Sequence, residues 1–197
     1  VTSPLTLAPA IPPPFVPKRF LAARFENYQS ENDSEAKALR VAARWVELVT
    51  KGEGPMLALI GPQGTGKSHL LYAAAWALFV AHVRTCCRSW YRLADELRYG
   101  GPAYYGTQHM EPYEHRSLLW CQPVILLDEV RPTANTAFDD TELAKLACHC
   151  YDQQVPIVLT TNVNPLAEVL GAPAASRFTQ ITLTGRDRRR EQLRATT

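Results

Sequence analysis

The chain has no apolar run of the ~18 residues that a bilayer crossing needs, so nothing in it reads as a membrane span. No basic stretch followed by an apolar core opens it, so no secretory leader is expected. Charge of one sign is also missing: 21 Lys+Arg stand against 19 Asp+Glu, a net charge of +2. That balance excludes nucleic-acid binding by bulk charge and confines any such surface to a local patch. The five cysteines form an odd set without the spacing of a disulfide scaffold. Cys148-His149-Cys150 has no second ligand pair, and residues two apart do not share a helix face. The thiols therefore read as core or half-buried groups of a reducing compartment, and the protein as cytoplasmic. No internal repeat is present. With 197 residues the chain has length for one domain with a real core, or one domain plus a tail.

What is there is led by Gly61-Pro62-Gln63-Gly64-Thr65-Gly66-Lys67-Ser68. It follows the apolar run Met56 to Ile60 and leads into the helix-forming segment Leu70 to Val80. In that setting a G-x-x-x-x-G-K-[ST] loop cradles nucleotide phosphates. Its glycines let backbone N–H groups turn onto anionic oxygens, and the helix N-terminus adds partial positive charge. Lys67 is expected along the β- and γ-phosphates, and the Ser68 hydroxyl on Mg²⁺.

Around this loop the chain alternates strand and helix. Residues 1–24 form a Pro-rich arm, carrying Pro4, Pro9, Pro12, Pro13, Pro14 and Pro17. It reads as a flexible terminus or as a partner-binding arm anchored by Phe15, Val16, Phe20 and Leu21. The chain does not open on Met, which reads as a fragment or a processed product. Asn32 and Glu35 form a capping-box-like start to a helix that stops at Lys51-Gly52. A strand over Val83 to Arg88, a helix over Tyr91 to Tyr99 and an irregular insertion over Gly100 to Tyr113 are expected next. Val124 to Leu127 is a strand, Asp140 caps a helix, Pro156 to Thr160 is a strand, a helix covers Asn164 to Leu170, and Gln180 to Thr184 is the last strand. The pattern is α/β, with a mostly parallel sheet.

Val124 to Leu127 runs into Asp128-Glu129. In open parallel sheets ligands sit at the carboxyl ends of strands, which turns these acids towards the phosphates. Asp128 suits the Mg²⁺ water shell, and Glu129 suits orienting and polarising an attacking water. The next strand ends Thr160-Thr161-Asn162, where the Asn162 amide reads as a γ-phosphate or water contact, or as a plain turn residue. Arg177, in Ser176-Arg177-Phe178, reads as a finger onto a neighbour's γ-phosphate or as a surface ion pair.

The ordered set GPQGTGKSHL, VILLDE, VLTTN and SRF resembles the AAA+ superfamily, and within it the bacterial and phage replicative-helicase loaders with their transposition relatives (the DnaC/IstB type). The match runs from about Phe25 to Arg189, making 25–189 the ATPase domain and 190–197 a basic tail. The resemblance implies an AAA+ P-loop NTPase of the ASCE division: a three-layer sandwich on a mostly parallel five-stranded sheet, without an evident lid domain. It implies ATP and Mg²⁺ as cofactors, with Gly61 to His69 on the nucleotide and the Arg24 to Tyr28 segment beside the adenine. Lys67, Glu129, Asn162 and Arg177 take the catalytic roles, and Ser68 and Asp128 the metal. Gly185-Arg186-Asp187-Arg188-Arg189 resembles a closing G-x-S-x-R segment, with Asp187 for Ser and Arg189 sensing phosphate. Pro173 and Cys150 stand where such loaders often carry arginine, a departure that bears on subunit contacts.

The implied function is an ATPase that loads a replicative ring helicase, binds single-stranded DNA and self-associates with ATP. An ATP-dependent transposase adaptor with little hydrolysis is the alternative, and a small-molecule kinase fits the paired acids, Asn162 and Arg177 poorly. Arg84, Arg88, Arg92 and Arg98 interleave with Tyr91, Tyr104 and Tyr105 as a single-strand DNA surface or as a solvated face over packing tyrosines. The Arg186 to Arg190 cluster is open in the same way, between a phosphate-binding and a solvated tail.

Overall fold

Every residue of Met56–Ile60 (β1) and Ile157–Thr161 (β6) is buried. Strands of that kind need cover on both faces, which a parallel sheet with crossover helices supplies. The computed structural model, which describes residues 16–102, 109–130 and 137–188, has this arrangement. Cys86–Ser89 (β2), Ile125–Val130 (β5) and Thr179–Thr182 (β7) complete a five-stranded sheet in the order β2-β5-β6-β1-β7. All of its pairings are parallel. A separate antiparallel ribbon joins Gly101–Pro102 (β3) to His109–Met110 (β4).

Side chains alternate across a strand, so β1 feeds two cores. Leu57 and Leu59 pack with Asp33–Thr50 (α1) and Lys67–Val80 (α2) on one face. Met56, Ala58 and Ile60 pack on the other, against Trp90–Tyr99 (α3), Pro112–Trp120 (α4), Ala137–Asp152 (α5), Ala167–Leu170 (α6) and Ala172–Ala175 (α7). The three-layer α/β sandwich is therefore as expected, with a sheet that is parallel throughout. Among the described residues no helix is long and apolar enough to cross a membrane.

Local signals place most of these elements. Asn32 Oδ1 accepts the Glu35 N–H at 3.0 Å, as a helix cap should. The reciprocal half of the box shifts by one residue, since the Glu35 carboxylate accepts from the Glu31 N–H at 2.7 Å. Four expectations move. The insertion after Gly100 contains the ribbon and then α4, whose start is fixed by Pro112 in the first turn and a Glu111/Glu114 capping box. The second strand begins at Cys86 instead of Val83, and α3 follows it directly at Trp90. The helix α5 begins at Ala137, which puts Asp140 inside its first turn instead of at its cap. The helix expected over Asn164 to Leu170 is shorter, α6 starting only at Ala167, and beyond Gly171, whose φ of +74° does not continue a helix, the separate short helix α7 follows. Of the five thiols, Cys86, Cys87 and Cys150 are buried and Cys148 is half-buried, whereas Cys121 is exposed.

Residues of the arm that the structure describes lie on α2. Phe20 stacks on Tyr72 with ring centroids 4.7 Å apart, and the Arg24 guanidinium sits 3.8 Å from the Trp76 ring. Ala23 is buried, and Val16 packs against the same core. Phe15 and the residues before it lie outside the described chain.

Candidate functional site

The loop between β1 and α2 is a tight turn held by its own side chains. Gly66 precedes α2 with φ +88°, and a Cβ there would lie 2.7 Å from the Tyr28 ring, so only glycine fits. Thr65 Oγ1 donates to the Pro62 carbonyl at 3.0 Å, and the Tyr28 hydroxyl donates to the Thr65 carbonyl at 3.2 Å. Burial, with the Glu35 carboxylate adding to it, pushes the Tyr28 phenol up to about 12. Lys67 is buried, its Nζ donating to the carbonyls of Gly61 at 2.7 Å and Pro62 at 2.6 Å. The ammonium is thus held at the N-terminus of α2, where a cation and a helix dipole both favour an anion.

The acids meet this loop as their strand position requires. Ser68 Oγ donates to Asp128 Oδ1 at 2.8 Å, and Thr160 Oγ1 donates to the same oxygen at 2.6 Å. Asp128 is only 2% exposed, so these hydroxyls offset the desolvation of its charge. The β5–β6 register shifts between Leu127 and Val130, and Glu129 occupies this irregularity with φ +57°. The left-handed backbone turns Glu129 outward, out of the strand's alternation, while its N–H donates to Thr160 Oγ1 at 2.9 Å. Left-handed backbone at a residue other than glycine costs on the order of 1 kcal/mol and is concentrated at functional sites. Burial, reinforced by the Asp128 carboxylate, raises the phenol of nearby Tyr72 far above its usual range.

A cleft of about 550 Å³ opens here, within the size range of small-molecule sites. Gln63, Gly64, Gly66, Lys67, Ser68, His69, Glu129 and Asn162 line it, all of them site residues expected from the sequence. Asp128 stands behind Ser68, and Gly61, Pro62 and Thr65 shape the loop from outside the lining. The opposite wall includes Arg19, Ala22, Asn27 and Tyr28. His69 Nε2 is 2.9 Å from the Arg24 carbonyl and 3.0 Å from Asn27 Oδ1, so it ties that wall to α2.

Arg177 does not line this cleft. It lies over the Tyr151 ring at 4.3 Å, half-buried, with Nη1 lacking a hydrogen-bond partner among the described residues. Arg189 lies outside the described residues. Its neighbour Arg188 lines the cleft, donating to the Gln29 carbonyl at 2.6 Å and pairing with Glu31 and Glu35. Asp187 packs against Gly64, so the closing segment crosses the phosphate loop.

Two contributors were not singled out from the sequence, Thr160 and Arg19, while Arg188 was named only within the Arg186 to Arg190 cluster. Thr160 stands in the quoted Thr160-Thr161-Asn162 string, yet only strand register shows that its hydroxyl reaches Asp128. One basic candidate is corrected. Arg88 is buried, 3.7 Å from Glu96, because β2 carries it into the layer under α3. It cannot face DNA. Arg92 also pairs with Glu96, at 3.4 Å, while Tyr91 and Tyr99 are exposed. Tyr104 and Tyr105 lie outside the described residues.

Comparison with known proteins bears on the fold. No family model matches the chain, and no curated protein matches it. Solved structures do. A DnaC helicase loader superposes with TM-score 0.70 at 20% identity, over 85% of this chain and 100% of that one. DnaI superposes with TM-score 0.67 at 23% identity, over 88% and 94% of the two chains. The replication initiator DnaA bound to AMPPCP and single-stranded DNA gives TM-score 0.65 at 21% identity, over 88% of this chain and 55% of that one. The fold of this chain, a five-stranded parallel sheet between helical layers, is the one found in these solved structures.

Proposed function

We propose that this chain is an ATP-hydrolysing helicase loader of the AAA+ type acting in DNA replication. The observation that carries the reading is the convergence of Lys67, Ser68, Asp128 and Glu129 on one cleft from the ends of two neighbouring elements. Similarity of fold to a DnaC helicase loader and to DnaI supports the replication setting.

Ser68 Oγ and Asp128 Oδ1 are hard oxygens 2.8 Å apart, a donor pair suited to Mg²⁺, which keeps several waters and takes its remaining ligands from phosphate. Bound there, Mg²⁺ would neutralise charge on the β- and γ-phosphates. Lys67 exchanges its loop carbonyls for phosphate oxygens. Glu129, exposed at the cleft, takes a proton from water as the water oxygen bonds the γ-phosphorus and the bond to the β,γ-bridging oxygen breaks. Products are ADP and inorganic phosphate. Asn162 lines the same cleft and suits a γ-phosphate contact.

Arg177 lies away from its own cleft, as a residue acting on a second copy's nucleotide would, and ATP-dependent self-association follows from that role. The ring helicase and single-stranded DNA are the partners this reading assigns, with exposed Tyr91 and Tyr99 and the Arg92 and Arg98 side chains as the base-stacking and phosphate-contacting surface.

Glu129→Gln tests the reading against a transposase adaptor that binds ATP without turning it over. Phosphate release should fall by about 10²-fold or more while ATP binding persists, as expected for loss of a general base. Wild-type phosphate release no faster than that of the variant would contradict the ATPase reading.

A further inference from the structure

Arg19 is the one cation that the described N-terminal segment brings to the cleft, and it meets Glu129 there. Arg19 Nη2 lies 3.7 Å from Glu129 Oε1, and both groups line the same cleft as Lys67, Ser68 and Asn162. The segment reaches this place because α2 offers a docking face. His69, Tyr72 and Trp76 follow one another at helical spacing, which puts them on one side of the helix. His69 takes the Arg24 carbonyl and Asn27, Tyr72 takes Phe20, and Trp76 takes Arg24. Arg19, next to the stacked Phe20, is thereby projected over the end of β5 that carries Glu129.

The pair itself is weak. Its side chains are 58% and 46% exposed, and ion pairs so solvated hold little free energy. A weakly held arginine beside a phosphate cradle is available for exchange. A terminal phosphate offers more negative charge and more acceptor oxygens than a carboxylate, and the planar guanidinium suits it. On the nucleotide reading of the cleft, a diphosphate lacks that terminal group and would leave Arg19 on Glu129.

We propose that Arg19 is a specificity-determining residue. It pairs with Glu129 when the terminal phosphate is absent and moves to the γ-phosphate when ATP is bound, freeing Glu129 for water at that moment. The proposal rests on the nucleotide reading of the cleft. It adds discrimination of ATP from ADP by the chain's own N-terminal segment.

The test is equilibrium binding of ADP and of a non-hydrolysable ATP analogue, both with Mg²⁺, to the full chain and to Arg19→Ala and Arg19→Lys. Arg19→Ala should weaken the ATP analogue roughly tenfold, as loss of a charge-assisted contact does, and leave ADP within about twofold. Arg19→Lys should recover a large part of the loss. Unchanged ADP affinity doubles as the control that the variant is folded. Equal loss for both nucleotides, or no loss for either, would overturn the role of Arg19 while leaving the cleft as a nucleotide site. Wild-type chain that binds neither nucleotide would overturn the cleft reading and this proposal together.

Discussion

Thr160 shows how much of this site depends on a single hydroxyl. It donates to Asp128 at 2.6 Å and accepts from the Glu129 N–H at 2.9 Å, so it links the buried acid to the left-handed residue beside it. Valine has nearly the same shape and neither capacity. Thr160→Val should destabilise the protein by roughly 2 kcal/mol, a fall in Tm of about 4–8 °C, because a buried carboxylate and a half-buried N–H each lose a partner. Thermal unfolding followed by circular dichroism measures this, and an unchanged Tm would show that the hydroxyl is dispensable. The residue was not legible as part of the site. Lys67, Ser68 and Asp128 were, since a glycine-spaced loop and an acid after an apolar run are local patterns. The role of Thr160 exists only once β6 is paired with β5 in register, and Arg19 meets Glu129 only through the packing of distant segments. Arg88 failed for the same reason: its partner Glu96 lies on the following helix, and nothing local to Arg88 says that it turns inward.

Among the elements, α2 carries two functions at once. Its N-terminus presents Lys67 and Ser68, and its His69-Tyr72-Trp76 face seats the segment that forms the other wall of the cleft. Arg24 fastens that segment, over Trp76 at 3.8 Å and donating to the carbonyls of Ala23 at 2.8 Å and Leu21 at 3.1 Å. A half-buried cation–π contact contributes on the order of 1 kcal/mol, which corresponds to roughly fivefold in a local opening equilibrium. Arg24→Ala should therefore speed amide hydrogen exchange of the segment around Ala23 and Tyr28 by about that factor and leave β1 and β6 protected. Equal acceleration in the central strands would mean that the segment does not open on its own. Element type was the most legible layer, since continuous apolar runs marked β1, β5 and β6. α4 was missed although Glu111-Pro112 followed by Glu114 is a helix start, because the glycines and tyrosines before it read as irregular chain.

For the whole molecule, the two cores explain why the chain tolerates cysteines where it does. Cys150 is buried against the sheet, and burial pushes its thiol from 9.0 up to about 12. Burial moves Cys87 in the same direction, with the Cys86 and Asp128 side chains adding to it. The folded-state values lie above the unfolded ones, so this contribution to stability is complete below the ordinary thiol value. It is lost as pH rises from there towards the folded value. Urea unfolding between about pH 8 and pH 11 should show stability falling with pH, and Cys150→Ala should lower stability at pH 8 while making that fall shallower. Identical slopes for the two proteins would contradict the placement of Cys150 in the core.

The central claim is that a triphosphate binds where β1 passes into α2, and calorimetric titration of ATP with Mg²⁺ into the full chain tests it most directly. Saturable binding at one site per chain is predicted, weakened by roughly 10²-fold or more in Lys67→Ala, whose missing ammonium is the charge aimed at the phosphates. Titration curves for Lys67→Ala that match those of the wild type would contradict it.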